Sequence, residues 1–258
     1  FRTHSCAFNT LPANTLTVYG IEDIRGYDSL FFGRYKKLLE TLDINYGKKP
    51  QKGVGDAFTY VVNAPLIDFM NVRYLACQYG IEHPKFPLVF PRELRVYRNK
   101  GEMPRAFFVP RWRVMDDEEA TKFVASAAFD PRNEVILAEK PDYIAPGGGE
   151  FTAADIVYRG PGESVVKIGA PSQGMLVVSD AYDTGWSASL DGKPAKILRA
   201  NVAFRAVAIP ITGSHTVTFR YAPKTVTAGI LAGITAMAFV MIISAGACCG
   251  SVEKRKDR

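Results

Sequence analysis

Residues 180–193 read DAYDTGWSASLDGK. A tryptophan set among aspartates is a grouping that often binds a sugar, and it is equally a grouping that builds an ordinary hairpin. The spacing bears on the choice. Trp186, Ala188 and Leu190 alternate with Ser187 and Ser189, so Trp186 shares a strand face with two apolar residues and reads first as a core anchor. A sugar platform is the alternative reading. Asp191-Gly192 is the preferred two-residue hairpin turn, because both positions need positive φ. Asp180 and Asp183 read as turn formers rather than metal ligands, and EF-hand spacing is missing. His4, His83 and His215 are scattered and form neither a triad nor a zinc pattern. The triplet Gly147-Gly148-Gly149 is followed by no Gly-Lys-Ser/Thr, so it is not a phosphate loop. No catalytic residue, metal ligand or cofactor is expected from these patterns.

The elements that would position these residues fall into two kinds. Before residue 151 the pattern is mixed. The stretch 28–47, DSLFFGRYKKLLETLDINYG, has Phe31, Tyr35, Leu38 and Leu42 at helical spacing, with Asp28 or Ser29 as cap and Gly47 as stop. Pro65 marks a second helix start. VRYLAC, LRVYRN, RAFFVPRWRVM (bent at Pro110) and EVILAE read as strands. DDEEATKFVASAAFD reads as a helix, its acids at the positive end of the dipole and Pro131 beyond its close. From residue 151 to 222, short strand patterns recur: DIVYR, SVVKIG, GMLVVSDA, WSASL, AKILRA, FRAVAI and HTVTFRY. Such spacing predicts a β-sandwich.

The chain has 258 residues, 47% of them hydrophobic, and a net charge of +6 spread along its length. No basic block is interleaved with aromatics, so nucleic acid is not an expected partner. Thr225 to Val252 holds no charged residue; as a helix it would reach ~42 Å, longer than a bilayer core requires. Lys224 closes one end, and the tail EKRKDR closes the other. The denser basic cluster predicts a cytoplasmic tail and an extracytoplasmic bulk. Cys6 and Cys77 would then share an oxidising space and can pair; Cys248 and Cys249 would lie near the inner membrane face. The chain does not begin with Met, and we read it as the C-terminal piece of a longer polypeptide. The expected organisation is an α+β extracytoplasmic region (1–150), a β-sandwich (151–224), one C-terminal transmembrane helix (225–252) and a basic cytoplasmic tail (253–258).

The string LVVSDAYDTGWSASLDGKPAKILRANVAFRAVAIPITGSHTVTFRYAPK resembles the C-terminal signature of the bacterial YfhO family of membrane proteins. The motifs are Ser179-Asp180-x-Tyr182, Gly185-Trp186, Asp191-Gly192, Asn201 with Phe204-Arg205-Ala206, His215-x-Val217 and Tyr221-x-Pro223-Lys224. Upstream, YGIEDIRGYDSL, FMNVRYL and YRNKGEMPRAFFV also resemble the family, in the expected order. The resemblance implies a polytopic membrane glycosyltransferase of GT-C architecture, with upstream transmembrane helices of the same protein as partners. It implies a polyprenyl-phosphate-linked sugar as donor, a cell-surface polymer such as lipoteichoic acid as acceptor, and a bacterial plasma-membrane location. GT-C enzymes keep their catalytic acid in a first extracytoplasmic loop, and this chain departs from the pattern in lacking it.

Inverting sugar transfer needs a carboxylate to take the acceptor proton and cations to stabilise the leaving phosphate. The most suggestive local set is EDIRGYDS: Glu22, Asp23, Arg25, Tyr27 and Asp28. Arg25 can hold a phosphate bidentately and Tyr27 can stack on a sugar. The plainer reading has Asp28 capping the following helix and Arg25 paired with a nearby acid. Under the resemblance the substrate-binding candidates are Arg25, Tyr27, Asp28, Asp180, Tyr182 and Trp186. Two functions stay open: part of a lipid-linked-sugar glycosyltransferase, or a non-catalytic carbohydrate-binding or assembly domain tethered to membrane lipid.

Overall fold

The computed structural model describes residues 1–5, 12–25, 32–41, 64–78, 80–142 and 148–253. In chain order the strands are β1 (Arg2–Ser5), β2 (Glu22–Asp23), β3 (Val72–Cys77), β4 (Leu88–Pro91), β5 (Arg95–Arg98), β6 (Ala106–Val109), β7 (Arg111–Val114), β8 (Glu134–Leu137), β9 (Thr152–Arg159), β10 (Glu163–Ala170), β11 (Gly174–Ala181), β12 (Trp186–Leu190), β13 (Lys193–Ala195), β14 (Ile197–Ala200), β15 (Phe204–Ile209) and β16 (Gly213–Tyr221). The helices are α1 (Gly33–Glu40), α2 (Ala64–Phe69), α3 (Asp117–Val124) and α4 (Lys224–Glu253).

A smaller sheet runs β2-β1-β3-β5-β4, and a larger one runs β13-β12-β16-β10-β9-β6-β11-β15-β14-β8-β7. The larger sheet curls so that β10, β12 and β16 face β6, β11 and β15 across an apolar core of Phe108, Val166, Ile168, Leu176, Val207, Ile209, Val217 and Phe219. This is the expected sandwich. Three of its strands, β6 to β8, precede residue 151 in the chain. Strands β11 and β15 are buried over most or all of their length, because their outer faces are covered as well. Phe107, Met175, Val177, Phe204 and Ala206 pack there against α2, α3 and β3 residues such as Phe69, Val124 and Leu75. A strand covered on both faces needs an apolar run rather than alternation, and GMLVV and AVAI supply it.

Local chemistry accounts for the boundaries. Asp116 caps α3, its carboxylate accepting from the Glu118 and Glu119 amides at 2.9 Å. Helix α1 starts at Gly33 with Phe32 at its N-cap and no side-chain cap bond. That is later than the Asp28 or Ser29 cap expected from spacing, and both of those residues lie outside the described residues. The stretch AKILRA, expected as one strand, is two: β13 pairs with β12, whereas β14 pairs with β15, so the chain crosses between the halves of the sandwich at Lys196. Asp191 and Gly192 have φ of 51° and 80°, as the expected turn requires, and Asp191 Oδ2 lies 2.7 Å from His215 Nδ1. Asn201 and Val202 also have positive φ, 43° and 73°. Asn201 Oδ1 accepts from the buried Ile136 amide at 2.9 Å and so holds the β14–β15 turn to β8. Cys77 is disulfide-bonded; Cys6 lies outside the described residues.

Helix α4 follows β16 almost directly. Its window Lys224–Met241 has mean hydropathy 1.6 and none of it is buried in the protein. Ile230, Leu231, Ile234, Phe239 and Val240 are all more than half exposed. An apolar helix turned outward on every side is stable in lipid and not in water. Among the described residues it is the one helix long and apolar enough to cross a membrane.

Candidate functional site

Alternation along five strands sends one row of side chains from each into the sandwich: Ser164-Val166-Ile168 on β10, Val178-Asp180 on β11, Trp186-Ala188-Leu190 on β12, Arg205-Val207-Ile209 on β15 and Val217-Phe219-Tyr221 on β16. The inner members are apolar. At the end where β16 gives way to α4 the rows turn polar, and they open into a cleft of about 600 Å³. Its lining includes Arg159, Ser164, Asp180, Asp183, Trp186, Arg205 and Tyr221. Tyr221 stands three positions before the first residue of α4. Gly185 is needed at this corner: a Cβ there would come within 2.7 Å of the Tyr221 ring and 2.9 Å of Pro223 Cβ. Asp183 accepts from the Gly185 amide at 2.8 Å, as expected of a turn former.

Asp180 is not a turn former. Its Oδ1 accepts from Arg2 Nη2 at 2.8 Å and from Arg105 Nε and Nη2 at 2.8 and 2.5 Å, and its Oδ2 from Arg205 Nη2 at 3.0 Å. Glu22 extends the cluster, accepting from Arg105 Nη1 at 2.5 Å and from Arg159 Nη1. Burial by itself would raise both carboxyl pKa values. For Asp180 the charges of Arg105, Arg2 and Arg205 outweigh burial and hold it well below the usual carboxylate range. For Glu22 the hydrogen bonds from Arg159 and Arg105 do the same and hold it at about 2. Carboxylates so tightly committed are poor proton acceptors at neutral pH, and the cluster is built to hold charge rather than to move protons.

Trp186 lines the cleft as a half-buried ring, packed on the sandwich core and 5.0 Å from the Tyr221 ring between centroids. The guanidinium carbon of Arg205 lies 4.0 Å from the Trp186 ring centroid and 4.9 Å from that of Phe219, a favourable cation–π geometry. A second cleft of about 400 Å³ is lined by Glu22, Asn71, Arg105, Asp155 and Arg159, so Arg159 lines both clefts.

Of the candidates drawn from sequence, Asp180 and Trp186 meet in this cleft. Tyr182 is half-buried outside its lining, and its amide donates to the Ala203 carbonyl at 2.8 Å. Arg25 is elsewhere, its Nη2 2.7 Å from the nearly buried carboxylate of Asp23, which is the plainer of its two readings. Tyr27 and Asp28 lie outside the described residues. Sequence reasoning passed over Arg2, Arg105, Arg159, Ser164 and Arg205. One signal was available: in FRAVAI, a charged residue occupies the strand face that Val207 and Ile209 continue into the core. Among the described residues no group of three or more His, Cys, Asp or Glu is arranged to hold a metal ion.

No curated protein and no solved structure matches the chain. The model of a protein family, described as bacterial membrane protein YfhO, matches residues 162–233. That segment runs from the start of β10 into α4 and contains Ser164, Asp180, Trp186, Arg205 and Tyr221, while Arg159 reaches the cleft from outside it and Arg2 and Arg105 bind Asp180 from outside it. Over residues 162–233, through most of this sandwich and the start of the apolar helix that leaves it, the chain is similar to the family described as bacterial membrane protein YfhO.

Proposed function

We propose that the chain is the extracytoplasmic and membrane-anchoring part of a glycosyltransferase that passes a sugar from polyprenyl phosphate to a cell-surface polymer such as lipoteichoic acid. In this reading the bulk of the chain lies outside the plasma membrane, the basic tail lies in the cytoplasm, and α4 packs with upstream helices of the same protein. One observation supports it most. The aromatic wall of Trp186 and Tyr221 stands beside an arginine-rich cleft at the mouth of the membrane helix. A lipid-linked sugar presents an apolar sugar face next to a phosphate at this depth, and the two halves of the cleft complement those two parts.

The test is sugar transfer by the full-length protein in vesicles supplied with a polyprenyl-phosphate-linked donor. Trp186→Phe keeps a ring on the core and shrinks the platform; transfer should fall about tenfold if the lost ring contact acts in the transition state. Unchanged transfer by that variant would remove the cleft from the reaction. The second reading is a tethered carbohydrate-binding or assembly domain. The committed state of Asp180 and Glu22 favours it, since neither can serve as base. Binding of the sugar headgroup with no transfer under any donor would select it.

A further inference from the structure

Arg205 is 2% exposed and lies at an inward position of β15. Its Nη2 serves Asp180, but its Nε and Nη1 have no hydrogen-bond partner among the described residues. Three N–H groups are thereby left over on one buried cation. Ser164, 5% exposed on β10, is in the same condition: its Oγ has no partner among the described residues. Both residues line the cleft beside Trp186. Native interiors rarely leave such donors unsatisfied, and two of them lining one cavity from opposite halves of the sandwich point to a ligand between them. The rings of Trp186 and Phe219 pack against the guanidinium, which leaves its in-plane N–H groups as the directions open to a partner.

The charge balance gives the ligand's sign. The guanidiniums of Arg2, Arg105, Arg159 and Arg205 face the carboxylates of Glu22 and Asp180, four positive against two negative. Asp183 on the wall of this cleft and Asp155 on the wall of the second bring the wider count level, so the excess is local to the ion-paired cluster around Asp180 and Glu22. A neutral ligand would leave that excess uncompensated, and a cation would add to it. A tetrahedral oxyanion offers several acceptor oxygens to the Arg205 N–H groups and to the Ser164 hydroxyl together.

We infer that Arg205 and Ser164 form a seat for a phosphoryl group, carried either by a lipid headgroup or by a phosphate-containing polymer. This deepens the proposed reading of the cleft as a ligand site, and it does not depend on sugar transfer. The seat also explains why β15 tolerates an arginine where its alternation calls for an apolar residue: Asp180 fixes one edge of the guanidinium and presents the rest to the ligand.

The experiment uses the whole chain in neutral detergent micelles, with Trp112→Phe so that fluorescence reports Trp186 alone. Inorganic phosphate should bind saturably and change that fluorescence, and acetate should bind more weakly. Ser164→Ala should weaken phosphate binding about ten- to a hundredfold, the worth of one hydrogen bond to a charged group. It should leave thermal stability unreduced, because the hydroxyl has no internal partner. Arg205→Lys should weaken binding further. Absence of saturable binding, equal binding of acetate, or equal affinity in wild type and Ser164→Ala would each overturn the seat. Competition against phosphate by phosphatidylcholine vesicles containing polyprenyl phosphate, and not by vesicles lacking it, assigns a lipid source. Competition by a glycerol-phosphate polymer alone assigns a polymer source, and competition by neither overturns the assignment. Intact sugar transfer without phosphate binding sinks the seat alone, whereas phosphate binding without transfer sinks the transferase reading alone.

Discussion

Removal of the Asp180 carboxylate is the sharpest perturbation the fold offers. Asp180 holds three guanidiniums, and the three depend on it unequally. Arg105 keeps Glu22 at 2.5 Å, and Arg2 keeps the Ser179 carbonyl at 2.5 Å. Arg205 keeps no hydrogen bond among the described residues once Asp180 is gone, and it is 2% exposed. The cost of Asp180→Ala is therefore mainly that of one buried, uncompensated cation, about 3–5 kcal/mol. For a chain of this size that is a fall in melting temperature of roughly 6–20 °C, taking ~2–4 °C per kcal/mol. The partner substitution isolates the cause. Asp180→Ala combined with Arg205→Met removes the stranded charge, keeps most of the volume, and should recover more than half of the loss, since replacement of a whole buried pair is often near neutral. Urea unfolding of the chain in detergent, followed by far-UV circular dichroism, measures each variant. A single-variant loss under about 1 kcal/mol, in the range of an exposed ion pair, would refute the reasoning. So would a double variant no more stable than Asp180→Ala.

Three further outcomes are expected. Trp186→Ala should cost about 2–3 kcal/mol, less than truncation of a fully buried aromatic, because the ring is only half-buried and rests partly on Arg205; calorimetry checks it, and a loss above that for a full core aromatic would mean the ring is buried more deeply than described. Asn201→Ala should cost about 1–3 kcal/mol by stranding the buried Ile136 amide, and Asn201→Asp, which keeps the acceptor, should cost less by the same assay. The Glu22 and Asp180 carboxyls are held below their ordinary values of 4.5 and 3.8, so the stability they give is complete above those values and is lost as pH falls through the folded ones. The urea midpoint should therefore hold steady down to about pH 4.5 and drop between there and about 2, with the drop reduced in Asp180→Asn. For the proposed orientation, a cysteine at Thr184 should react with an impermeant reagent on intact cells and one at Lys256 should not.

What the sequence determined by itself was everything that a few consecutive residues control. The uncharged run after Lys224 specified a membrane helix, because backbone in lipid must satisfy its own hydrogen bonds. Period-two patterns specified the strands of the sandwich, and Asp191-Gly192 specified its turn, because only particular residues tolerate the φ required. The motifs from Ser179 to Lys224 carried the resemblance to the YfhO family, whose model matches residues 162–233. Residue type does not say where a helix begins: spacing predicts a cap at Asp28 or Ser29, and α1 starts at Gly33 with Phe32 at its N-cap. The division of AKILRA was illegible because it depends on which partner strand each half meets. Above all, the cleft belongs to the tertiary structure. Arg2 and Asp180 are 178 residues apart, Glu22 and Arg159 are 137 apart, and no local rule relates them. Alternation could say that Arg205 faces inward; only the closing of β11, β12 and β16 around it decided that it would meet one acid and two rings. A buried charge is tolerable only where other chain segments compensate it, and which segments those are is settled by the packing of the whole sandwich.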